Sequence, residues 1–197
     1  SVAHRPFDDY GHQKQAALEL TTGEWVLSID ADERVTPELA QAIKAAIATP
    51  TAADGYWVRR DLLYLGVPLR FGGTGRDWIL RVARRSKTRF ALLPVHEHLI
   101  VDGSTARLPG TLHHIKYRRL AEHVAQMNSY TDLSAARRVE AGKWFSGWHL
   151  LRIPWELFAR LVLRLGLLDG RPGIIWASMA AFYSFLKVAK MWRPDDR

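Results

Sequence analysis

"GEWVLSIDADERVTPELAQAIKAAIA", Gly23 to Ala48, is the stretch whose reading decides the fold. A short apolar run, Trp25–Ile29, has the composition of a buried strand and stops abruptly at three carboxylates, Asp30, Asp32 and Glu33. A helix start follows at once. Thr36 is placed to cap it, Pro37 suits the first helical position, and Leu39, Ile43 and Ile47 recur every four residues, so one face packs. Strand, acidic turn and amphipathic helix in direct succession form an α/β layer, whose ligands bind outside the carboxyl ends of its strands.

The flanking sequence extends the pattern. Upstream, "YGHQKQAALEL" (10–20) is rich in helix formers and ends at the loop signal "TTG". Downstream, "YWVRRDLLYLG" (56–66) and "VPLRFGG" (67–73) read as strands around a turn, and "WILRVARR" (78–85) as a third. "RFALLPVHEHLIVDG" (89–103) and "TARLPGTLHHIKY" (105–117) continue the strand-like texture. From Leu120 the character changes to amphipathic helix, first in "LAEHVAQMNSYTDLSAARRVEAG" and then in "WELFARLVLRLGLLDG". In the second, Glu156, Arg160 and Arg164 form one polar stripe on an otherwise apolar surface. The predicted architecture is therefore a mixed α/β sheet of Rossmann-like type over residues 1–118, followed by a C-terminal amphipathic helical region over 119–197.

Composition narrows the function. A chain of 197 residues with 48% hydrophobic content fits one ordinary globular domain with an appendage. The absence of cysteine excludes disulfides and thiolate metal sites. The net charge of +8 calls for an anionic partner, and its distribution says which. From Lys143 onward nine Lys/Arg stand against four Asp/Glu, together with five of the eight tryptophans. Basic residues mixed with Trp and apolar runs suit an anionic membrane surface better than nucleic acid, for which no recognition motif is present. The alternative is a helical bundle packed on the core. The uncharged run Ile174–Leu186 has thirteen residues. It would cover about 20 Å of a hydrocarbon core about 30 Å thick, so it is expected to lie in the interface or on protein. The N-terminus is neither a signal peptide nor a membrane span, and without an initiator Met the chain reads as a fragment.

Two readings of the acidic turn stay open. In an extended strand residues i and i+2 point the same way, so Asp30 and Asp32 would project together. Two convergent carboxylates suit Mg²⁺ or Mn²⁺, with water and phosphate oxygens filling the remaining positions. The plainer reading is a solvated loop. "PVHEH" places Glu97 between His96 and His98; it is either a general base or an exposed strand position, and its spacing does not match the H-E-x-x-H zinc pattern. "GGTGRDWILRVARR" supplies Asp77 and Arg81 behind glycines that permit close backbone approach, while Arg84 and Arg85 read as a basic strand edge.

Taken in order, "GHQKQAALELTTGEWVLSIDADERVTPEL", "GGTGRDWILRVARR", "VHEHL", "LHHIKYRRLAEHVAQMNSYT" and "LGLLDGRPGIIWA" resemble the inverting family-two glycosyltransferases of the GT-A fold. The likeness is greatest to the bacterial lipopolysaccharide-core glucosyltransferase-like group and covers nearly the whole chain. It implies that Asp30 and Asp32 bind the metal ion and the diphosphate of a nucleotide sugar, a UDP-hexose, with Gln13 and Lys14 nearby. It places Asp77 and Arg81 at the donor sugar and the acceptor cleft. Glu97 becomes the candidate base, with Asp77 its competitor, and His114, spaced from Tyr117 as in the family, a further metal ligand. The implied acceptor is a glycolipid, and the implied location is peripheral, on the cytoplasmic face of the bacterial inner membrane. Relative to the family, the first strand, helix and second strand are missing before Ser1. The competing class is a non-catalytic membrane-surface binding module.

Overall fold

A computed structural model describes residues 2–49, 52–74, 76–92 and 97–192. The chain forms two compact units, residues 1–60 with 77–114, and residues 61–76 with 115–197.

The first unit begins with α1 (Tyr10–Glu19), which starts where the Asp9 carboxylate accepts from the His12 N–H at 2.8 Å. Next come β1 (Trp25–Leu27), β2 (Glu33–Val35) and α2 (Pro37–Ile47). The helix α2 starts as the sequence indicates: Thr36 Oγ1 accepts from the Leu39 N–H at 3.3 Å and Pro37 occupies the first turn. The later strands are β3 (Gly55–Tyr64), β4 (Val67–Pro68), β5 (Arg76–Arg84), β6 (Thr88–Phe90), β7 (Leu99–Val101) and β8 (Thr105–Tyr117). The main sheet runs β1-β5-β3-β8-β2. In it β1 pairs antiparallel with β5, and β2 pairs antiparallel with β8, setting Glu33 opposite His114. The α/β class with a Rossmann-like sheet is what the chain adopts.

Two apolar clusters hold this unit. Leu39 and Ile43 of α2 pack against Tyr56, Val58, Val82 and Leu112, while Leu18 of α1 packs against Leu80, Phe90 and Leu99. Each large side chain buried in this way contributes about 1.5–3 kcal/mol. Gly110 lets α2 come so close: at φ +88, a Cβ on it would lie 2.5 Å from the Leu39 backbone nitrogen.

The acidic stretch departs from the strand reading. β1 ends at Leu27, not Ile29. Ser28 still donates to the Arg81 carbonyl at 2.9 Å, and then the Asp30 carbonyl accepts from the Glu33 N–H at 2.9 Å, closing a tight turn. The strand alternation that would align Asp30 with Asp32 therefore does not apply, and Glu33 opens a strand of its own. The strand-like run 89–103 is likewise divided into β6 and β7, which pair with each other.

In the second unit β4 folds back on β3 through Leu65 and Gly66, both at positive φ, as a two-residue hairpin turn demands. Three helices follow, α3 (Leu120–Glu140), α4 (Arg152–Phe158) and α5 (Gly170–Ala189). Glu122 satisfies the start of α3 by accepting from the backbone N–H of Arg118 and Arg119. The expected stripe on α4 is interrupted. A π-helical turn, Ala159–Leu163, keeps the Glu156–Arg160 pair at 2.7 Å but carries Arg164 away, against Gly73. The motif "LGLLDGRPG" is a structural clip: the Asp169 carboxylate accepts from the Arg70 and Phe71 N–H groups at 2.8–3.1 Å. The continuous segment Gly166–Ala189 is long and apolar enough to cross a membrane by length and composition, a test that a helix packed on protein also passes. It exceeds the uncharged run Ile174–Leu186 because the helix continues into flanking residues at both ends.

Candidate functional site

In the first unit an unbroken relay of alternating charge crosses a cleft of about 480 Å³. Lys14, from α1, places Nζ 2.8 Å from Glu97 Oε1 and 2.9 Å from Asp30 Oδ1. Arg81, from β5, places Nη2 2.7 Å from Asp30 Oδ2 and 2.6 Å from Glu33 Oε1. Arg60, from β3, stands 3.6 Å from the same Glu33 oxygen and grips Asp77 with two bonds, at 2.7 and 3.1 Å. Four carboxylates and three cations thus alternate, each short contact charge-assisted and stronger than a neutral hydrogen bond.

These contacts stabilise the charged forms of Lys14, Asp30 and Arg60. Burial opposes the charge on Lys14, but the bonds from Glu97 and Asp30 outweigh it and hold its pKa above the ordinary lysine value. Burial likewise works against ionised Asp30, yet Lys14 and Arg81 prevail and keep its carboxyl below the usual aspartate range. Arg60 is shifted upward in the same way, Asp77 and then Glu33 overcoming its burial.

The sequence candidates fall into two groups. Lys14, Asp30, Arg81 and Glu97 meet at the cleft, and Asp77 joins them through Arg60. Asp32 belongs to a different contact: its Oδ2 lies 3.0 Å from His114 Nε2, on the register that sets β2 beside β8. Asp30 and Asp32 are therefore held by different partners. Gln13, next to Lys14 in sequence, is not among the residues that line the cleft; its Oε1 is buried and without a hydrogen-bond partner among the described residues. Glu97 and His98 both line the cleft outside any strand, so alternation does not separate them; His96 lies outside the described residues.

Several residues of the cleft carried no role in the sequence reading. Glu33 is the buried centre of the relay, and its only signal was its place as the third acid of "IDADE". Arg60 gave no signal, since its partners lie far from it in sequence. Trp57 and Trp78, both partly exposed, flank the cleft, and the Arg107 guanidinium sits 4.8 Å over the Trp78 ring.

Among the described residues no three His, Cys, Asp or Glu side chains gather as a metal cluster. The available donors are the half-exposed Asp32 carboxylate and His114. Such a pair fits Mg²⁺ or Mn²⁺ of the kind that arrives with phosphate oxygens and keeps several waters, and not a fully protein-caged ion. The arrangement as a whole offers an anchored lysine, a carboxylate facing the same cleft and an adjacent hard-donor pair.

No protein-family model matches the chain. It is similar to the lipopolysaccharide core biosynthesis glycosyltransferase LpsC of Rhizobium meliloti (strain 1021), with 32% identity over 193 residues, 96% of this chain and 72% of the relative. It is 24% identical over 202 residues to an uncharacterized glycosyltransferase of Rickettsia typhi, covering 96% of this chain and 69% of that one. To another from Rickettsia prowazekii it is 25% identical over 205 residues, with the same shares.

Proposed function

This chain belongs to the glycosyltransferase family that contains the lipopolysaccharide core enzyme LpsC, and on that premise we propose that it moves a hexose from a UDP-sugar to a membrane glycolipid. The transfer is a family-two, inverting displacement, and the acceptor is of the lipopolysaccharide-core kind. The enzyme works peripherally at the cytoplasmic face of the bacterial inner membrane. One observation carries this reading: Lys14 joins Asp30 to Glu97 within a single cleft.

Each residue has a task that its surroundings support. Lys14 presents a fixed positive charge to the diphosphate. Arg81 and Glu33 hold Asp30 in place. Glu97 accepts the proton of the acceptor hydroxyl as that oxygen attacks the anomeric carbon. Asp77 is the weaker candidate for base, because Arg60 occupies both of its oxygens. Asp32 and His114 would hold Mg²⁺ or Mn²⁺, which when bound would supply positive charge to the leaving diphosphate. Trp57 and Trp78 give a sugar two flat apolar faces on which to stack.

The test is a titration of the chain with UDP-glucose, with and without Mn²⁺, alongside a transfer assay. Metal-dependent nucleotide binding is expected, lost in Asp32→Asn. Binding to liposomes with no nucleotide binding at all would assign the chain to the membrane-module class instead.

A further inference from the structure

The C-terminal unit holds a second cleft, of about 380 Å³, walled by the end of β8 and by α3, α4 and α5. Four cations line it, Lys116, Arg152, Arg160 and Lys187, against a single carboxylate, Glu156. That carboxylate is already engaged by Arg160 Nε at 2.7 Å. His123, also in the lining, adds no charge at neutral pH, since burial and then Lys116 push its pKa down to about 4. Leaving aside Lys116, which has a partner of its own, the described lining carries a formal excess of two positive charges (Arg152, Arg160 and Lys187 less Glu156). Burial, followed by repulsion from Arg138 and Arg152, lowers the Lys187 pKa.

The segment that supplies Arg152, Glu156 and Arg160 to the cleft is rich in exposed apolar side chains. On the chain that forms its wall, Trp155, Phe158, Leu163 and Leu168 leave about half or more of their surface in water. Such a run exceeds the scattered exposure of ordinary surfaces and marks a contact with something apolar. Cationic pocket and apolar apron together match an amphiphile. Charge decides its head: a phosphate monoester carries about −1.5 to −2 at neutral pH, against about −1 for a phosphodiester, and balances the excess better.

We propose that this cleft binds the phosphate-monoester head of a membrane amphiphile, with Arg152, Arg160 and Lys187 around the phosphate. The assignment deepens the proposed transferase, and rests on that reading in making the lipid-linked acceptor the occupant. Phosphate capture here anchors the acceptor independently of the nucleotide cleft.

The experiment measures binding of the full chain to phosphatidylcholine vesicles carrying phosphatidic acid, a monoester, or phosphatidylglycerol, a diester, at matched surface potential. Phosphatidic acid is expected to bind about tenfold more tightly. Arg152→Gln and Lys187→Gln should each remove about five- to tenfold of that affinity. Lys187→Arg should restore it, and UDP-glucose binding should stay unchanged in all three. Equal binding to both lipids, or selectivity that survives the neutral variants in a folded chain, overturns the proposal. Inorganic phosphate displacing the vesicles at micromolar concentration also overturns it, by reassigning the cleft to free phosphate. Absent nucleotide binding in the unsubstituted chain refutes the transferase reading alone, because lipid selectivity is read separately.

Discussion

Glu33 Oε1 lies 2.6 Å from Arg81 Nη2, and no part of the Glu33 side chain reaches solvent. The pair sits at the middle of the relay, so removing the acid takes from a nearly buried guanidinium the more deeply buried of its two carboxylate partners. Breaking a buried pair from one side costs about 3–5 kcal/mol. Glu33→Ala is therefore expected to lower unfolding stability by about that amount in urea titrations. A loss below about 1 kcal/mol would show that the relay is not a structural element of the unit.

Asp30 and Asp32 should separate under substitution. Asp32 is half exposed and is held through His114, so Asp32→Asn should leave the melting temperature unchanged while lowering transfer by about a hundredfold or more. Asp30→Asn should lower both. Because the folded Asp30 pKa lies below its unfolded value of 3.8, its pairs contribute stability above that pH, and the contribution fades as pH falls through the folded value. Asp30→Asn should thus be destabilised at pH 7 and converge on the unsubstituted chain in strong acid. Equal melting of Asp30→Asn and the unsubstituted chain at pH 7 would contradict the ion-pair account.

His123 makes the C-terminal unit acid-sensitive. The ring is 8% exposed, stacks on Tyr117 at 4.2 Å and meets the Tyr64 hydroxyl at 2.9 Å through Nδ1. Its folded pKa of about 4 lies below the unfolded value of 6.5. The unfolded chain consequently binds a proton first as pH falls. Stability is complete above about pH 6.5 and declines by up to about 3 kcal/mol by pH 4. His123→Phe should flatten this slope while costing some stability at pH 7. An unchanged slope in that variant would place the acid sensitivity elsewhere.

Gly110→Ala tests the contact between α2 and β8. The new methyl meets the Leu39 backbone, which cannot rotate aside, and the residue must also hold φ +88. A loss of more than about 3 kcal/mol is expected in the denaturation midpoint. Gly66→Ala, at φ +82 with open space around it, should cost only about 1 kcal/mol and so separates backbone strain from collision.

The sequence alone determined what neighbours in the chain can settle among themselves. Thr36 and Pro37 start α2 because a cap and a first-turn proline act within three residues. Leu65–Gly66 turns β3 into β4 for a similarly local reason, and the helical periodicity from Leu120 onward is visible without any partner. The glycosyltransferase resemblance was legible because several separate motifs kept their order. Only the tertiary structure decided how the acids are used. Glu33 meets Arg81 across 48 residues, Asp32 meets His114 across 82, and Lys14 reaches Glu97 from another element altogether. A charge run has no pattern that names a distant counter-ion. Which carboxylate is buried, which is shared and which stays open to solvent therefore became fixed only when the sheet brought β1, β2, β5 and β8 together around them.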